Sequence, residues 1–406
     1  MAGLSLFTVV LVVGALVVLL RDDTHRATPD VPVADGPRPG AAAATLHLLE
    51  EAVESHDPDA ARALAPGGDA AAATLLAAVA DNAGALEVTD FSARYVDETG
   101  AAAEDGSWTA QVALTWGFTG FDREPAGAEV VVAFVAEEDT VAIRRFGGSG
   151  DGIEPLWLQE PLEVRRSDEA LVMVAASRPD AAREAATYAR RVARGTAVVG
   201  RVLRGWEPSV VVEVPASASA LDATLDAADG TYAGIAAVTT IVDGSGSPDA
   251  PVHVFVNPDV TRRLRGAGAQ VVMSHELVHV ATDAATSAVE LWLLEGFADY
   301  VALRDVPLPL ATTAGRAIDL VRRDGVPRRL PGPEEFDTRA TELEAAYELA
   351  WLACDTLADE VGEKALLDVH RRASDGTPVD AALRRHGLTL EGLVQRWQDR
   401  LASLAS

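Results

Sequence analysis

Residues 270–283 read QVVMSHELVHVATD and residues 291–302 read LWLLEGFADYVA. In the first stretch His275 and His279 are four apart, with Glu276 next to the first. On a helix, residues i and i+4 project from one face a turn apart, so two imidazole nitrogens can meet one metal ion at about 2.0–2.1 Å. Glu276 is rotated by about 100° from His275, which sets its carboxylate beside such an ion, placed to take a proton from water. The flanking Val271, Val272, Met273, Leu277, Val278, Val280 and Ala281 make this helix apolar nearly all round, which predicts burial. Two buried imidazoles and a carboxylate need partners. One metal ion supplies them together, whereas ordinary core residues would each need a separate hydrogen bond.

The second stretch predicts an amphipathic helix. Glu295, separated from His279 by fifteen residues, can return as a third ligand and complete a His₂Glu set with an open fourth position. Asp299 follows Glu295 by one turn on the same face, where a carboxylate can accept the other N–H of a ligand histidine and fix its tautomer.

HELVH followed by WLLEGFADY resembles the gluzincin metallopeptidases, the thermolysin-like and membrane-aminopeptidase-like clan, in which HExxH precedes a Glu often set within W-x-x-E-G-x-A. The likeness covers the two motif stretches closely and residues 168–400 as an architecture. It implies Zn²⁺ as cofactor, a peptide or protein as substrate, Glu276 as the catalytic base, and Asp299 as support for His275. It also implies an oxyanion donor, a Tyr or His from a later helix. Tyr347, in LEAAYELAWLACDTL, is the candidate by position. Leu343, Tyr347, Trp351 and Cys354 share a helical face, so a packed core tyrosine is the alternative; His370 and His386 are weaker candidates, and His370 reads as a solvated surface residue.

The gap between the second His and the Glu is shorter than in the large aminopeptidases and thermolysin-like enzymes, which points to a smaller, divergent branch. Those aminopeptidases read the free α-amine with an acid on a Gly-x-Met-Glu-Asn edge strand. The corresponding stretch here, GIAAVTTIV from Gly234, has no acid, so endopeptidase-like action is expected over aminopeptidase action. Such a strand can still pair with an extended peptide through its backbone. Tyr300 and Trp292 read as packing residues, His253 as a strand residue without a ligand role, Asn257-Pro258 as a strand-ending turn, and Cys354 as a small buried hydrophobe.

Outward from these motifs the expected fold class is α+β. Residues 168–406 predict a small mixed sheet with the active-site helix packed on it, followed by an all-helical part. The sheet strands are expected at 170–175, 209–214, 235–242 and 252–256, with a long helix over 180–203. Residues 41–81 are helical and alanine-rich, broken at HDPD and APGGD, and strand-like runs follow at 87–96, 107–118 and 128–146. Helices followed by a meander resemble the NTF2-like arrangement for residues 41–150. No polar constellation marks a ligand there, so this part reads as a spacer or a substrate-presenting module.

Residues 1–23 contain an uncharged run at 2–20, AGLSLFTVVLVVGALVVLL, long enough to cross a hydrocarbon core of roughly 30 Å. No small-x-small cleavage site follows it, which favours a transmembrane anchor over a cleaved signal. Residues 24–40 carry four prolines and read as an extended linker. Arg21 and Arg26 after the run would hold the body inside by the positive-inside rule, whereas the resemblance implies a single-pass protein of the cell membrane with its body outside.

The 406 residues are 49% hydrophobic and 24% charged, which excludes a wholly disordered chain. The net charge of −28 sets up a field that repels phosphate backbones and argues against nucleic acid as a partner. One cysteine allows no intramolecular disulfide and no thiolate cluster, so any metal must be held by His and carboxylate. Two rivals to zinc-dependent peptide hydrolysis stay open: an inactive zinc-holding envelope scaffold, and a zinc hydrolase of non-peptide amides or esters.

Overall fold

The computed structural model describes residues 36–148 and 152–406. Residues 1–35, which carry the expected anchor and most of the linker, lie outside them. Among the described residues no helix is long and apolar enough to cross a membrane.

Three helices open the described chain: α1 (Pro39–Glu54), α2 (Pro58–Arg62) and α3 (Ala70–Leu86). Their starts follow from local chemistry. Asp57 accepts from the backbone N–H groups of Asp59 and Ala60, both at 3.0 Å, ahead of Pro58, and Asp69 accepts from Ala72 N–H at 3.0 Å. An antiparallel meander follows, β1 (Val88–Glu98), β2 (Ser107–Phe118), β3 (Ala126–Ala136) and β4 (Val141–Phe146), paired in chain order. The long run expected at 128–146 is therefore two strands. Glu137, Glu138 and Asp139 sit at a tight turn closed by Glu137 N–H on the Thr140 carbonyl at 2.9 Å, because three successive acids do not suit a half-buried pleat. On β2, Trp108, Ala110, Val112, Leu114 and Trp116 are buried in alternation, packing with Leu46, Leu49, Leu76 and Leu86 of the helices.

The second sheet has the order β5-β6-β7-β9-β8. Its strands are β5 (Leu162–Arg166), β6 (Ala170–Ala175), β7 (Val210–Val214), β8 (Ala237–Ile241) and β9 (Val252–Val256). The three central strands run parallel, β6 reaching β7 through α4 (Ala181–Val202), while β5 and β8 are antiparallel edges. Sequence reading did not find β5, whose LEVRR carries only two apolar residues, Leu162 and Val164, and is half-buried at every position. Short α5 (Ala218–Thr224) and α6 (Pro258–Thr261) flank the β8–β9 hairpin.

Both faces of this sheet are covered. Val172, Val174, Val212, Val254 and Val256 pack against α4 and the helical part. Leu171, Met173, Ala175, Val211 and Phe255 share one core with Trp116, Phe118 and Trp157 of the N-terminal part. Residues 37–406 form one compact unit, and the boundary expected between 150 and 168 runs through that shared core. Polar ties cross it as well. Buried Asn82 on α3 donates to the carbonyls of Trp157 and Glu160, each at 2.8 Å, and accepts from Leu162 N–H at 3.1 Å. Arg166 on β5 donates to the Leu86 carbonyl at 3.0 Å and to the Thr119 carbonyl.

The most buried tie is ionic. His253 on β9, 1% exposed, has Nδ1 2.7 Å from Glu213 Oε1 on β7 and Nε2 3.0 Å from Asp122 Oδ1, contributed by the loop between β2 and β3. Burial disfavours the charged ring, but the Asp122 and Glu213 carboxylates outweigh it and push its pKa up to about 9. Because the folded pKa lies above the unfolded value of about 6.5, this cluster stabilises the fold fully below pH ~6.5. Its contribution is lost as pH rises through about 9. We expect thermal melts of wild type to shift downward between about pH 7 and about pH 10 by more than those of His253→Gln; parallel curves would contradict the ionic reading.

The remaining chain is helical: α7 (Gly266–Ala281), α8 (Leu291–Leu303), α9 (Leu310–Thr313), α10 (Gly315–Asp324), α11 (Leu343–Val361), α12 (Glu363–Ser374), α13 (Val379–Arg384) and α14 (Leu390–Ala405). Two glycines set the helix spacings that matter here. A Cβ at Gly195 of α4 would lie 2.5 Å from Leu277 Cδ1 of α7, and one at Gly296 of α8 would lie 2.3 Å from the Ala350 carbonyl oxygen of α11. The second contact is with backbone, so only glycine permits that crossing.

Candidate metal centre

Helix α7 is buried from Met273 through His279, as its apolar flanks require. It lies between α4 on one side and α8 on the other, with β8 alongside. His275 and His279 therefore project from α7 toward α8, where Glu295 answers them. His275 Nε2 and His279 Nε2 are 2.9 Å apart, and Glu295 Oε2 lies 3.1 and 3.2 Å from them respectively. These three atoms form a group that can hold a metal ion. A tetrahedral ion with bonds of about 2.0–2.1 Å keeps its ligand atoms about 3.3 Å apart, close to the spacing observed.

The chemistry of the donor set fits a cation. His275 Nδ1 lies 2.8 Å from Asp299 Oδ1 and donates its proton there, which turns the Nε2 lone pair toward His279 and Glu295. Three electron-pair donors then converge on one point. Burial works against charge at both His275 and Glu295. Even so, Asp299 and Glu295 carry the His275 pKa well above 6.5, and His279 and His275 drive the Glu295 carboxyl far below the usual carboxylate range. This pocket of the protein demands positive charge, which a bound cation would satisfy more completely than a proton.

Glu276, about 100° round α7 from His275, faces edge strand β8. It is 6% exposed, and its Oε2 accepts from Thr239 Oγ1 on edge strand β8 at 2.7 Å. Nothing in the sequence marked Thr239; a lone threonine in a strand has no signature, and only the crossing of β8 and α7 brings it there.

Tyr347, on α11, stands edge-on to His275 with ring centroids 5.9 Å apart, and Phe336 packs edge-on against its other side at 5.3 Å. Burial pushes its hydroxyl pKa far up, and the carboxylates of Glu295, Glu276 and Asp299 push it further. The phenol stays protonated and is a donor, never a base, at physiological pH. Among the described residues no group hydrogen-bonds its hydroxyl, so the proton is not committed elsewhere.

The other aromatic and histidine candidates are engaged away from this point. His370 is not a solvated surface residue. It is 6% exposed and packs on Phe297 at 4.3 Å between centroids, with burial lowering its pKa to about 4. The charged neighbours in its sequence occupy the outer face of α12, while His370 itself lies on the inner stripe with Leu366, Val369 and Ala373. His386 pairs with Asp368 at 2.9 Å. Tyr300 donates to Glu363 at 3.1 Å, and Trp292 donates to Glu290 at 2.9 Å from a buried position. Cys354 is fully buried, beside the α8–α11 crossing. Asn257 caps α6, accepting from Asp259 N–H at 2.9 Å, as a strand-ending turn requires.

Comparison with protein-family models and with curated proteins gives no match for this chain. The functional reading therefore rests on the geometry and on the sequence motifs.

Proposed function

We propose that this chain is a zinc-dependent peptidase of the gluzincin type, held at the cell membrane by residues 2–20 with its body outside. The observation that carries the reading is the convergence of His275, His279 and Glu295 at 2.9–3.2 Å, with Asp299 behind His275. The first three residues would hold the ion, and the donor set of two imidazoles and one carboxylate suits zinc. Zinc there would supply a Lewis acid that polarises the scissile carbonyl and makes water more acidic. Asp299 fixes the His275 tautomer. Glu276 takes the proton of the attacking water and passes it to the leaving amine. Tyr347 donates to the oxygen on which negative charge develops.

Among the described residues edge strand β8 pairs with no strand but β9, which leaves an extended peptide a side to join, and its five residues, Ala237–Ile241, include no acid to bind a free α-amine. This favours cleavage within a chain over removal of its first residue. For residues 41–150, the three helices and four-stranded meander support an NTF2-like arrangement, here covering one face of the catalytic sheet.

The test is a digest of a peptide library set beside a panel of small amides and esters, using the zinc-loaded protein. We expect internal cleavage of peptides. Turnover of the small substrates alone would assign a different hydrolase, and bound zinc without turnover of either would assign a scaffold.

A further inference from the structure

Thr239 lies at an unusual place for a side chain with one proton to give. On β8 it pairs in register with Val254, so its side chain shares the sheet face that packs on α7, while its neighbour Val238 pairs with Phe255 and packs toward the N-terminal part. The hydroxyl meets two acceptors, Glu276 Oε2 at 2.7 Å and the Glu276 backbone carbonyl at 3.3 Å. With a single proton, the shorter and charge-assisted contact to the carboxylate takes it. No other described residue hydrogen-bonds the Glu276 carboxylate, so its orientation rests on Thr239 alone.

We propose that Thr239 is a positioning residue for the base: by holding Oε2 from the edge strand, it fixes the Glu276 carboxylate plane and leaves Oε1 free for water. The inference rests on Glu276 being the base. It also ties the base to the strand that an extended peptide would join, so a shift of β8 on peptide binding moves the carboxylate with it. A carboxylate on a two-methylene stem that has lost its only hydrogen bond samples several rotamers, and only one of them faces the reacting water.

The experiment compares Thr239→Val, Thr239→Ser and Thr239→Ala with wild type and with Glu276→Gln, all zinc-loaded, on the best peptide from the library. Zinc content and the affinity for acetohydroxamate, a chelator whose hydroxyl proton would be shared with Glu276, are measured beside kcat and KM. Thr239→Val should keep its zinc, lose about 10- to 100-fold in kcat with little change in KM, and bind acetohydroxamate more weakly by a similar factor. Thr239→Ser should recover most of both. If the valine disturbs the strand, the Ser and Ala pair decides, since both are smaller than Thr and only Ser keeps the hydroxyl. Equal kcat and hydroxamate affinity for Ser and Ala would overturn the role of Thr239 while leaving the base assignment intact. An active Glu276→Gln would overturn the base assignment and this inference with it.

Discussion

Glu276→Gln is expected to retain one zinc per chain and to lose peptide hydrolysis, kcat falling by about 10²- to 10⁴-fold, the range that a well-placed general base contributes. The substitution is nearly isosteric at a site 6% exposed, and Gln keeps an oxygen to accept from Thr239. What it cannot do is take a proton. None of the three converging ligand atoms belongs to residue 276, so metal content should be indifferent to the change. A variant with wild-type turnover would remove the proton-transfer role from this residue. A variant that also loses its zinc would mean that Glu276 helps to hold the metal, contrary to the geometry described above.

Glu295→Ala should have the opposite signature. The carboxylate reaches both imidazoles, at 3.1 and 3.2 Å, and its removal leaves two neutral nitrogens 2.9 Å apart with no anionic ligand. The metal affinity should fall by more than the roughly 10- to 100-fold that outer hydrogen-bond partners of ligands are worth. Mass spectrometry of dialysed protein would then find about one zinc per chain in wild type and almost none in the variant, and it would identify the metal at the same time. Circular dichroism should show unchanged helix content, because the packing of α8 is carried by Trp292, Leu293, Phe297, Ala298 and Val301. Full retention of metal would mean that another group, such as the Asp299 carboxylate behind His275, completes the set.

The His275–His279–Glu295 group was legible because helical periodicity is local: a four-residue step on one helix and a second helix with Glu and Asp one turn apart need no knowledge of the rest of the chain. Thr239 was illegible for the converse reason. Its partner is 37 residues away and is reached only through the register of β8 on β9 and the packing of that hairpin on α7. The His253 cluster joins residues 131 positions apart, which no spacing rule can anticipate. His370 was misread because charged neighbours describe one face of α12 and say nothing of the other.

A further signal lies in two of the strands. The strands ALVMVA and VVVEV are apolar at almost every position instead of alternating, which is how a strand reads when both sheet faces are covered. That pattern already implied a second layer over the sheet, and the N-terminal helices and meander provide it.

That shared layer bears on how the chain can be divided. A shortened chain beginning at residue 168 would present Leu171, Met173, Val211 and Phe255 to water and would leave Glu213 and His253 without Asp122. It would behave as a sheet with a raw apolar surface, prone to associate with copies of itself. The N-terminal part is thus a structural half of the body that holds the His275–His279–Glu295 group. Swapping it for an unrelated module, as one would with a domain tethered by a linker, would remove part of that body's own interior.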